Sequence, residues 1–384
     1  MSGRARSSSA RSTPDPLRGP EFGSYAADDV AWLLTDLSGV ALEAPVEERE
    51  EAIQSGGAHY AESLPVEYQP DVAYLDLNRS ALAASVPRLA RAVGTVTELV
   101  LRERGTDVVL VSLARAGTPV GILLRRWAAA RHGLDLPHYT LSIVRGRGID
   151  TLALAHLAEH HDPSRVVFVD GWTGKGAINR ELATALVDHP GFDPDLAVLA
   201  DPGRCARTFG TREDWLIASA CLNSTVSGLV SRTVLNPRLL GPGQYHGAKF
   251  YRELADADVS GEFLDTVAAG FAAVDDTAPP PDREPDHAGW AAVERIVAEQ
   301  GIGDVNLVKP GVGETTRVLL RRVPWKVLVR AGAPEADLAH VRLLAAQRGV
   351  PVEEVADLPY SCVGLIHPRY TRGATGVDGL AVAR

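Results

Sequence analysis

Long apolar runs, paired cysteines and lysine are what this sequence has little of. No stretch stays apolar for the length of a membrane span, and the arginines at Arg4, Arg6, Arg11 and Arg18 are not followed by the apolar core of a secretion signal. Residues 1–20 therefore read as a disordered, serine- and proline-rich tail. Three cysteines, Cys205, Cys221 and Cys362, are odd in number and far apart, which excludes a disulfide framework and a CxxC metal site and points to a reducing cytoplasm. No internal repeat is visible. A net charge of -10 argues against broad coating of nucleic acid, although a local surface could still hold a structured RNA. Among 39 basic residues only four are lysines, Lys175, Lys249, Lys309 and Lys326. Around Lys175 there is no GxxxxGK[ST] spacing, so a Walker P-loop is excluded.

What is present is enough chain for about two domains. Leu89, Val93, Val96 and Val100 fall at helical spacing, and VVLVS at Val108 to Ser112 is a buried strand. Thr118 and Pro119 start a helix that stops near His132 and Gly133, with Thr118 as the expected N-cap. YTLSIV is the next strand, 149–161 is helical, and Val166 to Val169 is again a strand whose unbroken apolar run suits a parallel sheet. This alternation predicts an α/β fold with a doubly wound parallel sheet over 21–274, with ligands beyond the carboxyl ends of the strands. DDTAPPPDREPD makes 275–286 a proline-rich acidic linker, too stiff and polar to pack. Residues 287–384 then read as a small α/β/α sandwich.

The most informative segment is VVFVDGWTGKGAI, Val166 to Ile178. An apolar strand ends in Asp170 and opens through Thr173, Gly174, Lys175 and Gly176 into a helix, an arrangement that points backbone N–H groups and a helix N-terminus at an anion. Asp170 could hold ribose hydroxyls or a magnesium ion. Arg145 and Arg147, in VRGRGID, leave a strand end toward the same crevice and could meet an anion bidentately. An ordinary tight βα turn with an exposed lysine is the competing reading.

Asp214 to Asn236 packs Asn223, Ser224, Thr225, Ser227 and Arg232 into a short span with few charges, a density that suits recognition of a polar acceptor and equally suits capping. The same segment holds Cys221. With His246 as base and Asp214 as the acid it could form a thiol protease triad; a buried structural cysteine is the alternative. His59 and Tyr60, with Glu62 and Glu67 nearby, could cap the pocket or form a solvated loop. His160 and His161 sit at a helix end and no metal is assigned to them.

Two resemblances follow. SLARAG at Ser112 together with VVFVDGWTGKG resembles a type I phosphoribosyltransferase, and FGSYAADDVAWLL, EEREEAIQSGGAHYAESLP, DWLIASACLNSTVSGLVSRTVLN and YHGAKFY resemble a bacterial phosphoribosyltransferase-like family associated with tellurium-resistance and stress operons. The family also carries the label StiP-type cysteine protease. KPGVGETTRVLLRR, KVLVR and RGVPVEEV resemble a pelota-type RNA-binding domain. The first resemblance implies a PRPP-dependent transferase with Mg²⁺ that moves ribose 5-phosphate to a small acceptor. Asp170, Lys175 and Arg115 would be its catalytic set, Thr173 to Gly176 would cradle the 5′-phosphate, and Ser112, Arg115, Ala116 and Gly117 would line the pyrophosphate. The usual signature has two adjacent acids, whereas here Gly171 and Trp172 follow Asp170. The second implies that Lys309, Gly311, Gly313, Glu314 and Thr315 meet the backbone of a bent RNA. Cysteine protease with Cys221, His246 and Asp214, and a non-catalytic RNA adaptor, are the other readings. Oligomers are common in such folds; no membrane partner is expected.

Overall fold

A computed structural model describes residues 13–45, 59, 61–67, 72–220 and 222–367. Along the chain come β1 (Ala31–Trp32), α1 (Val72–Arg104), β2 (Val109–Leu113), α2 (Thr118–His132), β3 (His138–Leu141), α3 (Thr151–His160), β4 (Val166–Trp172), α4 (Ala177–Ala185), β5 (Leu196–Ala200), β6 (Phe209–Thr211) and α5 (Ser260–Ala269). Among the described residues the strands form one six-stranded parallel sheet in the order β1-β3-β2-β4-β5-β6. The fold class is thus mixed α/β about a central parallel sheet. β2 and β4 are neighbours, with Ser112 opposite Val169, so the loops that follow both strands leave the same edge.

The local reasons are legible. β2, β5 and the first four residues of β4 are buried throughout, which only a sheet covered on both faces allows. α1 buries Leu89, Val93, Val96 and Val100, and α2 lays Trp127 edge-on against Phe271 at 4.9 Å. α2 is capped one residue earlier than expected: Gly117 is the N-cap and Thr118 is already helical, and residue 117 must be glycine because a Cβ there would lie 2.4 Å from the Val169 carbonyl. α3 has the Asp150 carboxylate as its N-cap, accepting from the N–H groups of Leu152 at 3.0 Å and Ala153 at 3.2 Å.

The C-terminal unit contains α6 (Ala288–Glu299), β7 (Val308–Pro310), α7 (Val312–Arg321), β8 (Pro324–Arg330), α8 (Glu335–Gln347), β9 (Val352–Val355) and β10 (Cys362–Ile366). Its sheet runs β7-β10-β8-β9, antiparallel except for the β8/β9 pair. Val312 and Leu319 of α7 enter the same apolar core as Trp215 and Leu216 of the N-terminal region. The two units are docked.

Two expectations about the connecting segments are corrected. Of the expected tail, Leu17 bridges Trp32, Thr13 hydrogen-bonds His156 at 2.9 Å, and Pro14 accepts from the Tyr245 hydroxyl at 2.7 Å. Residues 1–12 lie outside the described residues. The 275–286 linker is a strap held by charge: Asp276 pairs with Arg91, Asp282 and Asp286 with Arg204, Glu284 with Arg207, and Arg283 with Glu103. Its acids, expected to be too polar to pack, face a row of arginines.

Candidate functional site

The turn after β4 is filled by protein. Lys175 Nζ donates to the carbonyls of Val305 and, at 3.3 Å, Val308, and Tyr360 donates to the Gly174 carbonyl at 3.1 Å. The Thr173 hydroxyl donates to Asp201, and Gly176 adopts a φ of 73°, the left-handed conformation that lets the chain enter α4. Trp172 lies so close to α7 that a Cβ at Gly313 would sit 2.8 Å from its ring, while Arg317 stacks over that ring at 4.6 Å. A turn read as a cradle for phosphate thus grips the C-terminal unit. The expected RNA contacts lie in the same joint: Lys309 is 8% exposed, Thr315 is sealed, and Gly311 and Gly313 are buried.

Asp170 is pushed up to about 6 by burial, with Arg317 and the Gly171 N–H opposing and Glu314 adding to the rise. One of its oxygens already accepts Gly171 N–H at 2.8 Å. With no second acid beside it, and no group of three metal-binding side chains among the described residues, this donor set does not suit Mg²⁺.

The loop after β2 is equally structural. Ser112 is fully buried, its hydroxyl 2.8 Å from His138 Nε2 and 2.9 Å from the Gly117 carbonyl. His138 Nδ1 lies 2.8 Å from the Asp29 carbonyl, which can only accept, so Nδ1 carries the proton and the unprotonated Nε2 faces a serine hydroxyl that donates to the Gly117 carbonyl. Burial lowers this histidine to about 4, leaving it neutral. The pair resembles a nucleophile and base but is closed to any substrate. Gly117 serves the close packing of α2 on β4 rather than a ligand. Arg147 pairs with Glu62 at 3.6 Å, and the charge of Arg145 acts on Lys175, Lys309 and Glu314.

A different group of polar residues gathers around the segment after residue 221. Arg115 meets Glu67 at 3.0 Å in a largely buried ion pair and reaches the Val230 carbonyl at 3.3 Å. The other Glu67 oxygen receives the Ser224 N–H at 3.5 Å. Asn223 Oδ1 and Ser224 Oγ are buried without a hydrogen-bond partner among the described residues, a pattern that native interiors tolerate where a water or a reacting group is expected. Thr225 is buried too, its carbonyl holding Val259 N–H at 2.8 Å; Ser227 closes its own turn on the Asn223 carbonyl, and Arg232 holds the Ser63 carbonyl. Arg115 is therefore an anchor of this segment, not a pyrophosphate ligand.

His246 precedes the short strand Gly247–Ala248, which pairs with Thr35–Asp36. Asp150, the α3 cap, takes its backbone N–H at 2.6 Å, and Ser142 Oγ lies 2.9 Å from Nδ1. Nε2 has no partner among the described residues. Burial lowers the imidazole below the usual histidine range, with Asp150 opposing. Asp150, which the sequence gave no reason to choose, is thus the acid beside His246. Asp214 is committed elsewhere: its two oxygens accept the N–H groups of Val312 at 2.9 Å and Ser361 at 2.7 Å.

Cys221 lies outside the described residues. The other two thiols are sealed. Cys205 donates to the Gly203 carbonyl at 3.1 Å and is pushed up to about 12 by burial and by the Asp201 charge; Cys362, fully buried, is raised by the same two causes, here with Asp214.

Residues 23–268 match a family profile described as tellurite-like stress resistance cysteine protease StiP, and residues 287–368 match the PELOTA RNA binding domain. The cysteine protease StiP of Acinetobacter baylyi is 34% identical over 377 residues, covering 90% of this chain and 94% of that protein. A hypoxanthine-guanine phosphoribosyltransferase from Bacillus anthracis aligns at 15% identity over 33% of this chain and 77% of its own, with a TM-score of 0.25, too low to carry an argument. These findings overturn the expected PRPP-dependent transferase, whose turn is in any case filled by the C-terminal unit. With a profile spanning most of the N-terminal region and a relative aligned over nearly its whole length, the chain belongs to the tellurite-like stress resistance cysteine protease StiP family.

Proposed function

We propose that the protein is a cysteine protease with Cys221 as nucleophile and His246 as general base. In this reading His246 Nε2 takes the thiol proton, the thiolate adds to the scissile carbonyl, and the same nitrogen returns the proton to the departing amine; water then releases the acyl group. His246 suits the role because Ser142 and Asp150 fix its ring and backbone while Nε2 stays open, and because burial keeps it neutral at pH 7. Asn223 and Ser224, with their buried oxygens unpartnered among the described residues, line the same stretch of chain.

The observation that carries the assignment of the nucleophile is the state of the other two thiols. Cys205 and Cys362 are buried and held protonated, so a chain with three cysteines has one left for covalent chemistry. Iodoacetamide at pH 7.5 followed by peptide mass mapping tests this: Cys221 is expected to be alkylated at least tenfold faster than either other cysteine. Equal rates, or faster labelling of Cys205, would remove the assignment.

RNA binding by the C-terminal unit rests on its match to the PELOTA RNA binding domain. For RNA to reach Gly311 to Thr315, the two units must part, because Trp172, Asp214 and Lys175 occupy that helix start.

A further inference from the structure

Histidines close the last turns of α3, and residues 13–17 lie over them. His156, 3% exposed, stacks on His160 with ring centroids 4.2 Å apart and an interplanar angle of 23°. His161 Nε2 lies 2.9 Å from the Tyr139 hydroxyl, and the Tyr139 ring meets His156 at 5.9 Å and His161 at 5.3 Å. The Thr13 hydroxyl gives its one hydrogen to Glu159 at 3.1 Å, so His156 Nδ1, 2.9 Å from it, carries a proton and donates to the threonine oxygen. Tyr245, whose ring stands 6.3 Å from His156, donates to the Pro14 carbonyl at 2.7 Å. Further along, Leu17 and Trp32 of β1 exchange both backbone hydrogen bonds, at 2.9 and 2.8 Å.

We infer that this cluster is a proton-operated latch: it holds residues 13–17 on the protein at neutral pH and releases them when His156 takes up a second proton. With Nδ1 already protonated through Thr13, the second proton makes an imidazolium stacked on His160 and close to His161. Burial first, then the charges of His160 and His161, lowers His156 below the usual histidine range, with Glu159 and Asp15 opposing. Burial and His160 lower His161 too. Beyond these, Arg18 acts on Tyr139, and Asp150, Asp15 and Glu159 act on Tyr245. A lowered histidine stabilises the latched state fully above its ordinary value, and that contribution is lost as pH falls below it, because the released state binds the proton more readily. The latch also touches the strand that carries His246. The Tyr245 carbonyl accepts the Thr35 hydroxyl at 2.8 Å, and Asp150, at the other end of α3, takes the His246 N–H at 2.6 Å. One helix thus holds Thr13 at its last turn and His246 at its first.

Hydrogen exchange of the full chain at pH 8.0 and pH 5.5, read by mass spectrometry and corrected for the intrinsic pH dependence of exchange, tests the latch. Protection of the Leu17 amide is expected to fall about fivefold at pH 5.5 while β2 keeps its own. His156→Gln, which takes up no proton, is expected to show no such fall. Equal protection of wild type at the two pH values, a fall shared by β2, or the same fall in His156→Gln overturns the proposal. Should His156→Gln fail to fold, Thr13→Val removes only the half-buried hydroxyl at the edge of the cluster. It must lose protection at Leu17 already at pH 8.0, with less than about twofold further loss at pH 5.5; wild-type protection at pH 8.0 in that variant rejects the latch.

Discussion

Asp214, in the loop after β6, caps a helix that belongs to the other half of the chain. Its carboxylate accepts the Val312 N–H at 2.9 Å, at the start of α7, where the N-cap residue Gly311 has no side chain to do so. Its other oxygen takes the Ser361 N–H at 2.7 Å, and its carbonyl takes the Ser361 hydroxyl at 2.6 Å. Asp214→Ala removes a cap and a second acceptor and should lower stability by about 1–3 kcal/mol. Hydrogen exchange should accelerate in Val312–Arg321 and much less in β2. Unchanged exchange in α7 would show that the cap does not hold the joint.

The joint also sets a pH signature. Burial raises Asp170 and Asp214 to about 6, so their contribution to stability is full below an ordinary aspartate value and is lost as pH rises through about 6. Lys175 and Lys309 are lowered, so theirs is full above an ordinary lysine value and is lost as pH falls through about 8 and about 7. Lys309→Met should therefore gain more midpoint temperature relative to wild type at pH 6 than at pH 9. Asp170→Asn should gain more at pH 8 than at pH 5. Offsets that do not vary with pH would contradict both.

The Glu67–Arg115 pair, 3.0 Å apart with both side chains about nine-tenths buried, should behave as a unit. Glu67→Ala or Arg115→Ala alone strands a buried charge and should destabilise by about 3–5 kcal/mol. The double variant is expected to lose less than the sum of the two, as read by urea unfolding. Additive losses would mean that the two charges do not depend on each other.

His246 gives a kinetic prediction. Because burial lowers its pKa, the base remains neutral below the usual histidine range, and the acid limb of kcat/KM for casein cleavage should fall below pH 6.5. Ser142→Ala frees Nδ1 and should move that limb while leaving kcat within about tenfold, as removal of an orienting partner does. His138→Asn, by contrast, should reduce stability through the Ser112 and Asp29 contacts rather than change the limb.

The parallel sheet was legible because Val109 to Ser112 and Val166 to Val169 are apolar without a break, and only burial on both faces accounts for that. The joint was not. Glycines before a helix N-terminus, as in Lys309 to Thr315, suit close approach of a phosphate and close approach of a neighbouring backbone equally, and here Trp172 makes the approach. The missing second acid, Gly171 followed by Trp172, was the visible sign that the turn had become a packing surface. Asp150 escaped notice because its role depends on the strand Gly247–Ala248 pairing with Thr35–Asp36, a contact between distant segments that no spacing reveals. Cys221 and His246 were read as a protease pair from residue type, and Asp214 joined them by proximity in sequence alone. The acidic linker was misjudged because its partners, Arg91 of α1 and Arg204 and Arg207 of the loop between β5 and β6, are distant from it in sequence.

Hydrolysis of fluorescein-labelled casein by wild type, Cys221→Ala, Cys205→Ala and Cys362→Ala, each shown by circular dichroism to be folded, tests the central assignment most directly. The account expects Cys221→Ala to lose at least about a thousandfold in kcat/KM, since the nucleophile is gone, while the other two stay within about tenfold. Cleavage by Cys221→Ala at the wild-type rate would contradict it.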